Sequence, residues 1–205
     1  MAPYKNILKP IFDFVIAIIS LIISSPIFIT LIIILVIVNN GKPFFFQKRA
    51  GKNGKTFSII KIKTMNDKKD IHGKLLPFNE RVTKIGAFIR KYSLDEIPQL
   101  INIIKGDMSL IGPRPLHPEY LPLYNKVQAR RHEVMPGITG WAQVNGRNTI
   151  SWEQKFNHDV WYVDNQSFVL DIKILFLTFY KVIKKKDINN SVSANMPAFK
   201  GADVE

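Results

Sequence analysis

The chain has 205 residues, no cysteine, and 29 Lys+Arg against 16 Asp+Glu, for a formal net charge of +13. The lack of cysteine excludes disulfides and thiolate metal sites, so any metal must be held by oxygen or histidine. The positive excess is concentrated toward the N-terminal third and calls for an anionic partner, a demand that nucleic acid, an anionic membrane surface and a phosphorylated substrate would all meet.

Residues 14–38, "FVIAIISLIISSPIFITLIIILVIV", carry no charge and exceed the roughly 20 residues that cross a bilayer as a helix. The run is too long for a cleaved signal peptide. At its midpoint stand Ser24, Ser25 and Pro26. Pro26 has no N–H for the Ile22 carbonyl, so a bend is expected, with serine hydroxyls available to the freed carbonyls. Each arm of about 12 residues is about 18 Å long, enough to enter one leaflet and return. Lys5 and Lys9 precede the run, while Lys42, Lys48, Arg49, Lys52 and Lys55 follow it, so both ends carry the cytoplasmic charge signature. A re-entrant helix-break-helix over residues 1–40 is the expectation, and a spanning helix is the alternative.

Next, "KPFFFQKRAGKNGKTFSIIKIKTM" places Asn53-Gly54 between two β-prone runs, a hairpin signal. Alternation puts Phe57, Ile59, Lys61 and Lys63 on one face. Those lysines are either solvated or held at headgroup level facing phosphate. "RVTKIGAFIRKY" repeats Val82, Ile85, Ile89 and Tyr92 at helical spacing, which predicts an amphipathic helix lying on a core or on lipid.

"SLDEIPQL" then sets Asp95 beside Glu96. Ser93 and Glu96 fit a capping box, but that reading leaves Asp95 unexplained and conflicts with Pro98. A helix starting nearer Asp95 puts Pro98 in its first turn and both carboxylates at the positive end of the helix dipole, which favours their ionised forms. Adjacent helical residues point about 100° apart, so the acids cannot share one proton as a facing dyad. They suit two jobs: one a nucleophile toward phosphorus, the other a holder of a divalent ion.

In "GDMSLIGPRPLHPEY", Arg114 lies between Pro113 and Pro115, which restrict the backbone and present the guanidinium with little entropy left to lose. Arginine suits bidentate phosphate contacts. "RRHEVMPGITGWAQVNGRN" combines cations, His132, Trp141 and glycine turns. Trp141 could offer a ring face and Arg147 could reach a phosphate or base, while a lone histidine is more often structural than a proton donor. No Walker loop or dinucleotide fingerprint is present. "SWEQKFNHDVWYV" and "LDIKILFLTFYKVIKKK" read as two closing helices, with Asp171 a first-turn acid of the second; residues 187–205 read as a loose polar tail.

Taken in order behind a Ser-Pro-broken apolar segment, "SLDEIPQL", "GDMSLIGPRP" and "PGITGWAQVNGR" resemble the small monotopic phosphoglycosyl transferases of bacterial glycan assembly, most nearly the bacillosamine-phosphate type. The likeness runs from about Tyr4 to Lys186. It implies a mostly helical α+β fold: the re-entrant helix, a small β-hairpin and amphipathic interfacial helices, with residues 41–186 as a minimal catalytic unit on the cytoplasmic face of the bacterial inner membrane. It implies transfer of a sugar-1-phosphate from a UDP-sugar, such as an N-acetylated hexosamine of the bacillosamine kind, to undecaprenyl phosphate, with release of UMP. On the same resemblance Asp95 is the nucleophile and Glu96 the Mg²⁺ ligand. Arg90 and Arg114 match phosphate-contacting positions, Ser25-Pro26 matches the helix break, and Lys61, Arg147 and Asp171 fall on motif positions. Membrane lipids and downstream glycosyltransferases are the implied partners, and nucleic acid is not. The competing readings are a membrane-bound phosphohydrolase using the same two acids and a non-enzymatic binder of anionic lipid or nucleic acid.

Overall fold

The computed structural model describes residues 3–146, 150–184 and 197–201. The expected mostly helical α+β class is what the chain adopts. After a π-helical turn at Tyr4–Leu8, α1 runs Lys9–Val38, followed by β1 (Phe44–Ala50) and β2 (Thr56–Ile62). Helices α2 (Phe78–Arg81) and α3 (Lys84–Lys91) precede a 3-10 turn at Leu94–Glu96, and α4 (Gln99–Ile104) follows it. Then come β3 (Ser109–Ile111), α5 (Lys126–Ala129), β4 (Gly137–Thr139), α6 (Trp141–Val144), α7 (Trp152–Asn165) and α8 (Phe168–Lys184).

Strands β1 and β2 pair antiparallel in the expected hairpin. Asn53 (φ 55°) and Gly54 (φ 73°) take the left-handed turn for which this residue pair is suited. Strands β3 and β4 pair in parallel. Their junction is closed enough that a Cβ on Gly140 would lie 2.1 Å from the Gly112 carbonyl oxygen, so the glycines of "GPRP" and "PGITG" let two backbones touch. This contact holds the Arg114 segment against the Gly137–Thr139 strand.

The sequence suggested helix-break-helix at Ser25-Pro26, whereas the backbone stays helical from Lys9 to Val38 with Pro26 inside. Ser25 Oγ donates to the Ile22 carbonyl at 2.7 Å, the carbonyl that Pro26 leaves without its N–H. The helix continues because a hydroxyl replaces the missing donor.

Both ends of α1 are fastened to the same body. Near the start, buried Lys9 lies 2.8 Å from Asp171 Oδ2 and 3.3 Å from Asp13 Oδ2. Tyr162 donates to Asp171 Oδ1 (2.7 Å), Tyr4 to Oδ2 (2.5 Å), and Ser109 to Asp13 Oδ2 (2.6 Å). Asp171, read from sequence as a plain first-turn acid, is completely buried at the centre of this cluster. Ala17 packs among Leu100, Ile103, Met108 and Ile174. At the far end Leu31 and Leu35 pack on Ile62 and Ile89, and Asn39 Nδ2 donates to the Lys63 carbonyl at 3.0 Å.

The remaining surface of α1 is apolar and bare, Ile22, Ile23, Ile33 and Ile37 among it, and Phe46, Phe88, Phe176 and Phe179 are exposed on other elements. Soluble proteins rarely expose apolar surface on this scale, so the chain is membrane-associated. Within the stretch read as a loose tail, residues 197–201 are described. Phe199 is buried against Tyr120, Tyr124, Trp152 and Phe156.

Replacing Lys9 with methionine leaves the Asp13 and Asp171 carboxylates buried together without their cation. We expect Lys9→Met to cost roughly 3–5 kcal/mol as a fall in denaturation midpoint in detergent, and adding Asp171→Asn to restore part of it.

Candidate active site

The paired acids sit on a turn unlike either expected helix start. Ser93 is left-handed (φ 55°) and makes no side-chain cap, so the capping box does not form. Leu94–Glu96 is a single 3-10 turn, and Pro98 is the N-cap residue of α4. A cap would have turned Glu96 back onto its own backbone; without it, both carboxylates are carried toward β2 and the Arg114 segment. Their side chains are 14% and 17% exposed.

Around them the structure gathers cations from three separate elements. Lys61, from β2, reaches Glu96 Oε1 at 3.2 Å and Asp95 Oδ2 at 3.9 Å. Arg114, from the loop after β3, reaches Glu96 Oε1 at 2.7 Å. Arg90, at the end of α3, donates to Thr64 Oγ1 at 3.2 Å, lies 4.8 Å from the Phe78 ring centre, and contributes favourable charge toward Asp95. Lys61, Arg90, Asp95, Glu96 and Arg114 therefore meet as the sequence suggested. Ser25 and Pro26 belong to α1, and Arg147 lies outside the described residues.

The pKa values of the two acids shift in opposite directions. Burial raises the pKa of each, but at Glu96 the charges and hydrogen bonds of Arg114 and Lys61 overcome it and hold the carboxyl down to about 2. At Asp95, burial and then the neighbouring Glu96 charge push the pKa above its usual value, against Lys61, Arg90 and Arg114. The sequence argument expected the helix tip to favour ionisation of both acids. It fails at Asp95 because burial, and then the neighbouring Glu96 charge, oppose ionisation there. Among the described residues both cations grip Glu96 Oε1, and its second oxygen is the hard-oxygen donor with which a divalent ion would be held.

A cleft of about 270 Å³ opens beside this turn, lined by Ser93, Glu96 and Arg114, by the apolar Ile97, Leu100, Ile138 and Val144, and by Lys181 and Val182 of α8. The Asp95-Glu96 turn, with Lys61, Arg90 and Arg114 around it and a cleft beside it, is the candidate active site.

A profile of the family described as "Bacterial sugar transferase" matches residues 4–185. The chain belongs to the bacterial sugar transferase family. It is a transferase. It is 54% identical over 197 residues to the "Uncharacterized sugar transferase EpsL" of Bacillus subtilis (strain 168), covering 96% of this chain and 97% of that protein. It is 34% identical over 190 residues to the UDP-N-acetylgalactosamine-undecaprenyl-phosphate N-acetylgalactosaminephosphotransferase of Aeromonas hydrophila, covering 89% of this chain and 45% of that protein. It is 37% identical over 189 residues to the UDP-glucose:undecaprenyl-phosphate glucose-1-phosphate transferase of Escherichia coli (strain K12), covering 86% of this chain and 40% of that protein. The chain thus spans nearly the whole of the first relative and under half of the other two.

Sequence reasoning missed two supports of the transferase site. Arg131 is buried, pairs with Asp159 at 2.8 Å and donates to the Arg114 carbonyl at 2.7 Å, bracing the backbone whose stiffness had been assigned to the prolines alone. Arg49 bonds neutral Gln47 at 2.5 Å, with no carboxylate partner among the described residues; burial and Arg114 lower its pKa to about 10. A cation so placed favours an anion beside Arg114, and a lone arginine in "FFFQKRAG" carries no sequence signal for that. His132 Nδ1 lies 3.0 Å from the Gly51 carbonyl, and burial with Arg131 lowers its pKa to about 4, so it is neutral and structural. Trp141 stacks on Trp161 with ring centres 4.8 Å apart and has Lys173 5.5 Å from its own; the ring face that might have received a base is engaged by the protein.

The two shifts have opposite consequences for stability. A carboxyl with a raised folded pKa binds more protons folded than unfolded, so its contribution falls as pH rises past the usual value; a depressed one gives stability present above its unfolded pKa and lost toward its folded pKa. In EDTA at pH 7, Asp95→Asn is expected to melt above wild type, with the gap closing as pH falls toward 4, and Glu96→Gln to melt below it. Thermal melts across pH check both signs.

Proposed function

We propose that this transferase is a phosphoglycosyl transferase that moves a sugar-1-phosphate from a UDP-sugar to undecaprenyl phosphate, releasing UMP, at the start of membrane-linked glycan assembly. The observation that carries the reading is the Asp95-Glu96 turn inside a ring of Lys61, Arg90 and Arg114 on a protein with a bare apolar face. The names of the Escherichia coli and Aeromonas hydrophila relatives support the donor and acceptor classes. They differ in the sugar, so an N-acetylated hexosamine of the bacillosamine kind rests on motif likeness alone.

In the first step an Asp95 oxygen attacks the sugar-bearing β-phosphorus, and the bond to the bridging oxygen breaks as UMP leaves with that electron pair. An oxygen of the lipid phosphate then attacks the aspartyl phosphosugar, and the Asp95 carboxylate departs unchanged. Its raised pKa marks a carboxylate less quenched by counter-ions than Glu96, hence the better nucleophile of the two once ionised. Lys61, Arg90, Arg114 and Arg147 are the proposed phosphate contacts. Glu96 would hold Mg²⁺, which when bound neutralises diphosphate charge.

We read α1 as re-entrant from the cytoplasmic face of the inner membrane, residues 1–40 forming the anchor and 41–186 the catalytic unit. Support comes from the attachment of both α1 ends to one body and from lysines on both flanks. The acceptor phosphate lies at the bilayer surface, so a site held there meets it without drawing an isoprenoid into water. The lipid diphosphate product suits glycosyltransferases acting next.

The test is incubation with a radiolabelled UDP-sugar panel, undecaprenyl phosphate and Mg²⁺. We expect label to enter the organic phase with one UMP per lipid, EDTA to stop transfer, and Arg114→Ala to lower kcat/KM roughly 10²-fold or more. Donor consumption at full rate without lipid would make the protein a phosphohydrolase instead.

A further inference from the structure

The cleft beside Glu96 and Arg114 has walls chosen for hydrocarbon. Ile97 and Leu100 come from the segment after the acids, Ile138 from β4 and Val144 from α6. Two wall hydroxyls are already engaged: Thr139 and Thr178 share a hydrogen bond at 2.7 Å, and Thr178 also donates to the Ile174 carbonyl at 2.8 Å. A bound sugar or uracil would need partners along its whole rim; besides Glu96 and Arg114 the lining offers Ser93, Lys181 and Gln143, whose Oε1 is buried without a partner among the described residues.

The cleft shares a lining residue with the exposed apolar surface of α8. Val182 lines it and is itself exposed, and on the same helix Phe176 and Phe179 are exposed. At roughly 30 Å³ for each water-sized group, a volume of about 270 Å³ takes about nine such groups, close to two isoprene units. Arg114 also lines the cleft, so an amphiphile with an anionic head and a hydrocarbon tail matches its lining in polarity.

We propose that this cleft binds the first isoprene units of the polyprenyl phosphate acceptor, drawn from the apolar face along α8, with the phosphate end at Arg114. The proposal rests on the phosphoglycosyl transferase reading and adds where the lipid chain lies. It makes Ile138, Val144 and Val182 acceptor-binding residues and separates the lipid's hydrocarbon from the donor.

The test compares wild type with Val182→Trp, which fills the cleft from its exposed border, using isoprenyl (C5), geranyl (C10) and undecaprenyl phosphates at one fixed detergent concentration. Partition into detergent is common to both proteins, so a difference between them reports the cleft. For wild type the acceptor KM should fall at least tenfold from C5 to C10; for Val182→Trp that step should be lost and the undecaprenyl phosphate KM should rise about tenfold, with the UDP-sugar KM within twofold. Ile138→Phe, from another wall, should act in the same direction if Val182→Trp does not fold. A rise in the UDP-sugar KM instead, or no change in either, overturns the proposal while leaving the functional reading intact. No transfer by wild type from any UDP-sugar overturns the functional reading and this proposal with it.

Discussion

Glu96 Oε1 receives both Arg114 and Lys61, at 2.7 and 3.2 Å, and this leaves Asp95, one residue earlier in the chain, with Lys61 no nearer than 3.9 Å. Two carboxylates on one tight turn thus share a limited supply of cations unequally. One is ionised far below neutrality and held still, while the other keeps a raised pKa beside it. A catalytic division of labour needs this inequality: an oxyanion fully neutralised by salt bridges is a poor nucleophile, and one with no cations nearby would repel a diphosphate.

The rest of the fold can be understood as holding that turn in place at an apolar surface. Lys61 comes from a hairpin, Arg90 from the end of α3, and Arg114 from a loop whose carbonyl is tied down by the buried Arg131–Asp159 pair. The parallel β3-β4 contact, possible because Gly112 and Gly140 lack side chains, joins the Arg114 loop to the wall of the cleft. At the other side of the body, Lys9, Asp13 and Asp171 lock the start of α1, while Leu31 and Leu35 seat its end on Ile62 and Ile89. A charged cluster inside an otherwise apolar seam is costly to open, so the anchor and the catalytic turn keep one relative position.

Much of this was legible in the chain. The uncharged run, the Asn53-Gly54 hairpin and the neighbouring acids each follow from local rules of hydropathy, turn geometry and charge, and the Ser25 hydroxyl on the Ile22 carbonyl was anticipated from the missing N–H of Pro26. The errors were tertiary in origin. A helix start nearer Asp95 was expected in place of a Ser-x-x-Glu cap; the cap is indeed absent, but the acids sit on a separate 3-10 turn and α4 begins only after Pro98. Trp141 was available as a platform until Trp161, twenty residues on, stacked against it. Asp171 is the first-turn acid of α8 that the sequence indicated, but its pairing with Lys9, more than 160 residues away, had no local signal. Arg131 and Arg49 act through contacts that no spacing in the chain announces.

The account depends on Asp95 bonding covalently to the phosphorus of the donor. Intact-protein mass spectrometry after incubation with UDP-sugars and Mg²⁺, with no lipid acceptor present, measures this directly. Wild type should gain the mass of one phosphosugar and lose it when undecaprenyl phosphate is added, while Asp95→Asn should remain at its own mass. An Asp95→Asn protein that gains the adduct, or that transfers sugar phosphate at the wild-type rate, would contradict the account.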